Sequence, residues 1–442
     1  MNKLILILTF IAGINISVVN GQQELLNAGP MVGQSQMREV TLWAQTTEPA
    51  DVKIVYWNVN DNSVTYYTNV VATEKSKAYT AHLVADEVEP GQKYNYELYI
   101  NDQKVNRPYP LEFTTLKLWQ WREDPPNVKF VTGSCAYINE DEYDRPGSSY
   151  GGYYEIFESI YKTDPDFMLW LGDDVYLREA DYYSRTGIMK RYTHDRAIKE
   201  LQPLFGSVHH YAIWDDHDYG PNNSDKSYTM KDVTLEAFKL FWANPSYGVC
   251  STPGITTYFQ WSDVDFFLLD DRSYRTPEFR TKTNRKLLGD EQLEWLIDAL
   301  TASHATFKVI AIGGQVLNPI KAFETYSTYP EEKEKLLNLI KDEGIKGVIF
   351  LSGDRHFSEL SKLDREGTYP LYDFTISPFT AGPNNYPPEE NYLRVENTFV
   401  QERNFALFEV TGKLKDRTLK CTVYDTYGKE KWSYKIHENE LK

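Results

Sequence analysis

The stretch "WDDHDYGPNN" (Trp214 to Asn223) sets Asp215, Asp216, His217 and Asp218 side by side where an apolar run ends. Crowded carboxylates in a low-dielectric site repel one another unless a positive charge is held among them. Four other apolar runs end in residues of the same character. "VKFVT" is followed by Gly133, Ser134 and Cys135, and "FMLWL" by Gly172, Asp173, Asp174, Val175 and Tyr176. "FKVIAI" leads to Gly313, Gly314 and Gln315, and "GVIFL" to Ser352, Gly353, Asp354, Arg355 and His356.

Each of these has an ordinary explanation taken singly. Gly-Asp after a strand makes a turn or helix cap, Cys135 and Tyr176 can pack, Gln315 can turn, and His356 can be a satisfied core histidine. Five strand ends bearing carboxylate, imidazole, thiol, phenol or amide, with glycines that admit close backbones, are hard to reach by chance. Carboxylates mixed with thiolate, phenolate and imidazole suit a hard ion such as iron, manganese or calcium better than structural zinc. Two cations sharing a carboxylate would resolve the repulsion and attract a phosphate, the arrangement for in-line displacement at phosphorus.

Such a site needs strands to carry it. From Val128 onward, apolar strands (128–132, 167–171, 211–214, 264–269, 307–312 and 347–351) alternate with amphipathic helices such as "EQLEWLIDAL" and "EEKEKLLNLIKD". That texture predicts an α/β layered domain over 126–442, with sites beyond the strand ends. The final segment returns to strands: "LYDFTIS", "NFALFEVTG" and "LKCTVYDTYG". Residues 22–122 alternate with period two between turn signals, which predicts a small all-β sandwich of immunoglobulin or fibronectin type. "EDPPN" then reads as a linker.

Residues 1–21 read as a secretory signal peptide: Lys3, an apolar run from Leu4 to Val19, then Asn20 and Gly21 before Gln22. Export, to a periplasm or fully secreted, is expected, without a membrane anchor. A net charge of −17 opposes general binding to nucleic acid or anionic membranes. Three cysteines, Cys135, Cys250 and Cys421, leave at least one thiol unpaired.

In order, "GSC", "WLGDDVY", "WDDHDYGPNN", "LLDDRSYR", "LGDEQLEWL" and "LSGDRH" resemble the motif series of PhoD-like alkaline phosphatases and phosphodiesterases, a branch of the calcineurin-like metallophosphoesterases. The resemblance implies a layered β-sandwich flanked by helices and hydrolysis of phosphate esters by a metal-bound hydroxide. It implies Cys135, Asp173, Tyr176, Asp216, Asp354 and His356 as metal ligands, with Asp173 bridging, and Fe(III) with Ca(II) as the ions. It makes His217 the phosphate-facing imidazole, and Asp218 is expected to orient it. In the fourth motif "GGQVLNP" has no histidine, so Gln315 or Asn318 ligates directly, through water, or not at all. Arg272 and Arg355 are candidates for a phosphate oxygen, a salt bridge being the equal alternative. Asn222 and Asn223 shape the site or simply turn the chain. Alternatives are a nucleotidase or wall-polymer phosphodiesterase on this scaffold, or a non-catalytic surface-binding protein.

Overall fold

The computed structural model describes residues 25–249, 251–385 and 389–442. The proposed signal peptide and Cys250 lie outside them. At the centre, Val128–Gly133, Phe167–Leu171 and His209–Ile213 run parallel, with Phe130 opposite Phe167 and Phe167 opposite His209. Phe167–Leu171 and His209–Ile213 are buried throughout, which is why they read as near-continuous apolar runs. Asn404–Lys413, Asp416–Asp425 and Glu430–His437 extend this sheet on one side as an antiparallel meander.

A second sheet packs over it. Val264–Leu268, Phe307–Ala311, Val348–Ser352 and Leu371–Thr375 are parallel, and Thr257–Trp261 and Glu359–Leu363 close the edges antiparallel. Aromatic rings fill the space between the sheets: Phe266 stands edge-on to Phe130 at 5.3 Å and to Phe167 at 5.2 Å, and Tyr211 stacks on Phe259 at 3.7 Å. Helices Glu155–Lys162, Arg185–Arg196, Lys231–Phe241, Asp290–Ala302 and Pro330–Asp342 flank the sandwich. Arg185–Arg196 escapes a periodicity search because its buried side includes Arg191, Asp195 and Arg196.

The expected β-sandwich at the start of the chain forms, but one of its sheets is not its own. Leu26–Ser35 pairs parallel with His209–Ile213 through Val32 and His209, and Val40–Thr46 and Thr80–Ala85 follow. The result is a single nine-stranded sheet. The facing sheet, built on Asp51–Asn58 and Lys93–Ile100, closes a separate core around Val52, Ile54, Tyr94 and Phe113. Side chains reinforce the junction: Tyr211 Oη accepts from the Ser35 amide at 3.0 Å, and Trp43 Nε1 donates to the Leu240 carbonyl at 2.8 Å.

Candidate metal centre

The strand ends converge. Asp173, His217, Asp354 and His356 line one cavity of about 520 Å³, together with Asn222 and Asn223. Three groups of side chains there each place ligand atoms within 4.8 Å of one another: Cys135, Asp173 and His356; Asp173, Asp216 and His217; Asp215, Asp216 and Asp354. Asp173 belongs to the first two and Asp216 to the last two. Tyr176 joins the first group, its Oη 3.1 Å from Asp173 Oδ2 and 3.3 Å from His356 Nε2. Cys135 Sγ lies 3.5 Å from Asp173 Oδ2 and accepts from Ser377 Oγ at 3.1 Å.

The backbone is bent to make this possible. Cys135 (φ 61°), Asp173 (φ 55°), Asp354 (φ 66°) and His356 (φ 54°) all occupy the left-handed region. Each such residue costs about 1–3 kcal/mol, and such strain clusters at functional sites. Gly172 precedes Asp173 because a Cβ there would meet the Asp215 backbone at 2.7 Å.

Without a cation the charges conflict. Burial, then Asp216 and Cys135, pushes the Asp173 carboxyl well above its ordinary range. Burial, then Glu324 and Asp216, does the same to Asp354. Burial raises the Cys135 thiol and, with Asp173, the Tyr176 phenol. Burial holds His217 and His356 below the ordinary imidazole value. Asp216 Oδ1, Asp215 Oδ2 and His217 Nδ1 are buried with no hydrogen-bond partner. Orphaned donor atoms among mutually repelling acids are what a cation satisfies, and the donor set fits one.

Several expected roles are not what the structure builds. Asp218 does not orient His217: its carboxylate accepts the amides of Asp173 (2.6 Å), Asp174 (3.0 Å), Val175 (2.9 Å) and Asp215 (2.9 Å). His217 instead stacks on Tyr176, ring centroids 4.3 Å apart. Gln315 is not free to ligate; its Nε2 donates to Glu359 and Thr375, and its Oε1 accepts from Asn318 and Arg355. Asn318 is likewise engaged, donating to Gln315 and Glu389. Arg272 is fully buried and spends its donors on Asp215, Glu324 and the Ser224 carbonyl, leaving none for phosphate. Arg355 lines the cavity, but both terminal nitrogens already donate, to Gln315 and Glu389. Asp270 accepts from Trp214 Nε1 and the amides of Arg272 and Ser273, which makes it a turn anchor. Asn222 and Asn223 do border the cavity, and the Asn223 amide donates to Asp216 Oδ2 at 2.5 Å. Cys421 is a free thiol buried in its strand.

The cavity residues that escaped the sequence reading are Tyr150, Phe323, Glu324 and the run 382–385. None stands at a strand end. Tyr150 Oη lies 3.2 Å from His356 Nδ1, and Glu324 pairs with Arg272 and Arg275. The left-handed backbone at Phe323 and Glu324 marks them in the structure but has no sequence signature.

Two face-packed mixed sheets with acidic, imidazole and thiol side chains gathered at their strand ends define a metallophosphoesterase-type fold. Residues 130–415 match the PhoD-like phosphatase family, and the chain belongs to that family. Residues 23–118 match a domain of unknown function (DUF7800). Alkaline phosphatase D of Bacillus subtilis (strain 168) is 25% identical over 369 residues, covering 71% of this chain. The match spans 60% of that protein's length. Among solved structures, that of PhoD superposes with a TM-score of 0.75 at 18% identity, covering 95% of this chain and 91% of that one. Purple acid phosphatase PPD1 from seeds of yellow lupin (Lupinus luteus) gives 0.66 at 12% identity, covering 92% and 74%. At these identities the two structures bear on the fold.

Proposed function

We propose that the chain is an exported, metal-dependent phosphoesterase that hydrolyses phosphomonoesters, phosphodiesters or both. The observation that carries this is Asp173, one carboxylate common to two groups of ligand atoms at the floor of an open cavity. Cys135, Tyr176 and His356 with Asp173 make a set suited to Fe(III), and Asp216, which lies near Asp173 on one side and near Asp354 on the other, centres an oxygen-rich set suited to Ca(II). When bound, such cations supply Lewis acidity toward the phosphoryl group and acidify water.

The chain's own residues do the rest. His217 lines the cavity, its buried Nδ1 has no protein partner, and its imidazole donates a proton or hydrogen bond to the leaving oxygen. Stacking on Tyr176 fixes the imidazole plane. Asp218 positions Asp173 through the backbone. The Asn222 side chain borders the cavity and can donate to a phosphate oxygen. Export rests on the apolar run from Leu4 to Val19. Among the described residues no helix is long and apolar enough to cross a membrane.

The test is metal content with a visible spectrum, and turnover of a monoester and diester panel, for the native chain and Asp173→Ala. Iron with calcium, colour from tyrosinate and thiolate, and joint loss of both metals in the variant are expected. Loss of one metal alone contradicts the bridging role. No turnover by metal-replete protein favours a binding protein instead.

A further inference from the structure

Phe323 is held in an unusual way at the edge of the cavity. It is 67% exposed, and single exposed apolar residues are common enough to need no explanation. What sets Phe323 apart is its support. It and Glu324 form two consecutive left-handed residues, at φ 47° and 64°, a conformation that bulky side chains seldom adopt. The turn is pinned on its far side, where Thr325 Oγ1 donates to the Ile320 carbonyl at 2.6 Å and Glu324 pairs with Arg272 and Arg275. The Arg355 guanidinium, buried and fixed by Gln315 and Glu389, lies 5.2 Å from the Phe323 ring centroid. One side of the ring is therefore backed by a rigid cation, and the rest stands open where the cavity meets solvent.

Shielding Arg355 does not account for this, because Phe357 already lies 5.0 Å from the same guanidinium. A cavity of about 520 Å³ also leaves room beyond a phosphate group for what the phosphate is attached to. A rigid aromatic ring offers contact area with little ordering cost on binding.

We infer that Phe323 is a stacking platform for the leaving group, and that the favoured esters carry a flat conjugated ring, aryl or nucleobase, beside the phosphate. This rests on the phosphoesterase reading above and narrows its substrate class. Phe323 acts on selectivity between esters and takes no part in the chemical step.

The experiment separates this inference from that reading by measuring binding as well as turnover on the full, metal-loaded chain. Phenylphosphonate should bind about fivefold to tenfold tighter than methylphosphonate, the scale of one ring-on-ring contact. Phe323→Ala and Phe323→Leu should both abolish that ratio, and Phe323→Trp should keep or raise it. The same variants should shift kcat/KM for phenyl phosphate and a nucleoside 5′-monophosphate relative to glycerol phosphate. A larger shift for the nucleotide identifies a nucleobase, and a larger shift for phenyl phosphate an aryl group. A wild-type binding ratio near one, a ratio that survives in Phe323→Ala, or equal shifts for all three esters would overturn the inference. The expected phosphonate ratio without ester hydrolysis would support the platform and overturn the phosphoesterase reading.

Discussion

Asp218 grips Asp173 by its backbone, accepting the Asp173 amide at 2.6 Å while its other oxygen takes the amides of Asp174 and Val175. The two residues are 45 positions apart, and this contact ties together the ends of two parallel strands. Replacing Asp218 by Asn removes one acceptor oxygen from buried amides, which costs about 2–4 kcal/mol. Thermal unfolding should show that loss, and metal content should fall with it. An unchanged midpoint would mean the turn holds without Asp218.

His217→Ala tests the proton donor. The expected result is a fall in kcat of about 10²–10⁴-fold with both metals still bound. Because His217 shares a group of ligand atoms with Asp173 and Asp216, metal analysis decides between the two roles. Loss of a metal would place His217 among the ligands.

Arg272→Met separates scaffold from substrate contact. The arginine neutralises Asp215 in the interior and shares Glu324 with Arg275, so its removal strands the buried Asp215 and costs about 3–5 kcal/mol. KM of the folded fraction should stay near the native value. A large rise in KM without a stability loss would restore Arg272 to the phosphate.

Acid should weaken the fold through His209 and His210. Each ring has one nitrogen on a carbonyl, at Gly33 or Leu204, and one accepting a hydrogen bond, from the Thr114 amide or Trp170 Nε1. Both are therefore held neutral, and burial pushes them down to about 4 and about 3. Below the unfolded value of about 6.5 the unfolded chain binds protons that the native chain refuses, so stability falls as pH falls through that point. Between pH 6.5 and 5 each ring costs about 2 kcal/mol. Denaturant unfolding of His210→Gln over this interval should show a correspondingly shallower loss, and an identical slope would refute the assignment.

Much of the centre was legible because the strands that carry it are short, apolar and buried, and because its residues stand directly after them. Asp173, Asp216, Asp354 and His356 need only that local grammar. Roles were harder to read than positions. Asp218 looks like a partner for its neighbour His217, yet its amide partners at Asp173 to Val175 come from another strand end. Gln315 is engaged by Glu359 and Thr375, 44 and 60 positions away. Glu324 and Phe323 sit in a loop, where neither hydrophobic period nor turn chemistry points to a cavity. The parallel pairing of Leu26–Ser35 with His209–Ile213 is equally silent, since an alternating strand does not name its neighbour.

That pairing also makes the first strand a mechanical element. Force applied along Leu26–Ser35 passes through the Val32–His209 register into the strand that ends immediately before Asp215, Asp216 and His217. The two segments matched as separate families are therefore geared together: an exchange of residues 25–122 between relatives must preserve the meshing of Ser35 with Tyr211 and of Trp43 with Leu240, or it shears the seat of the acids.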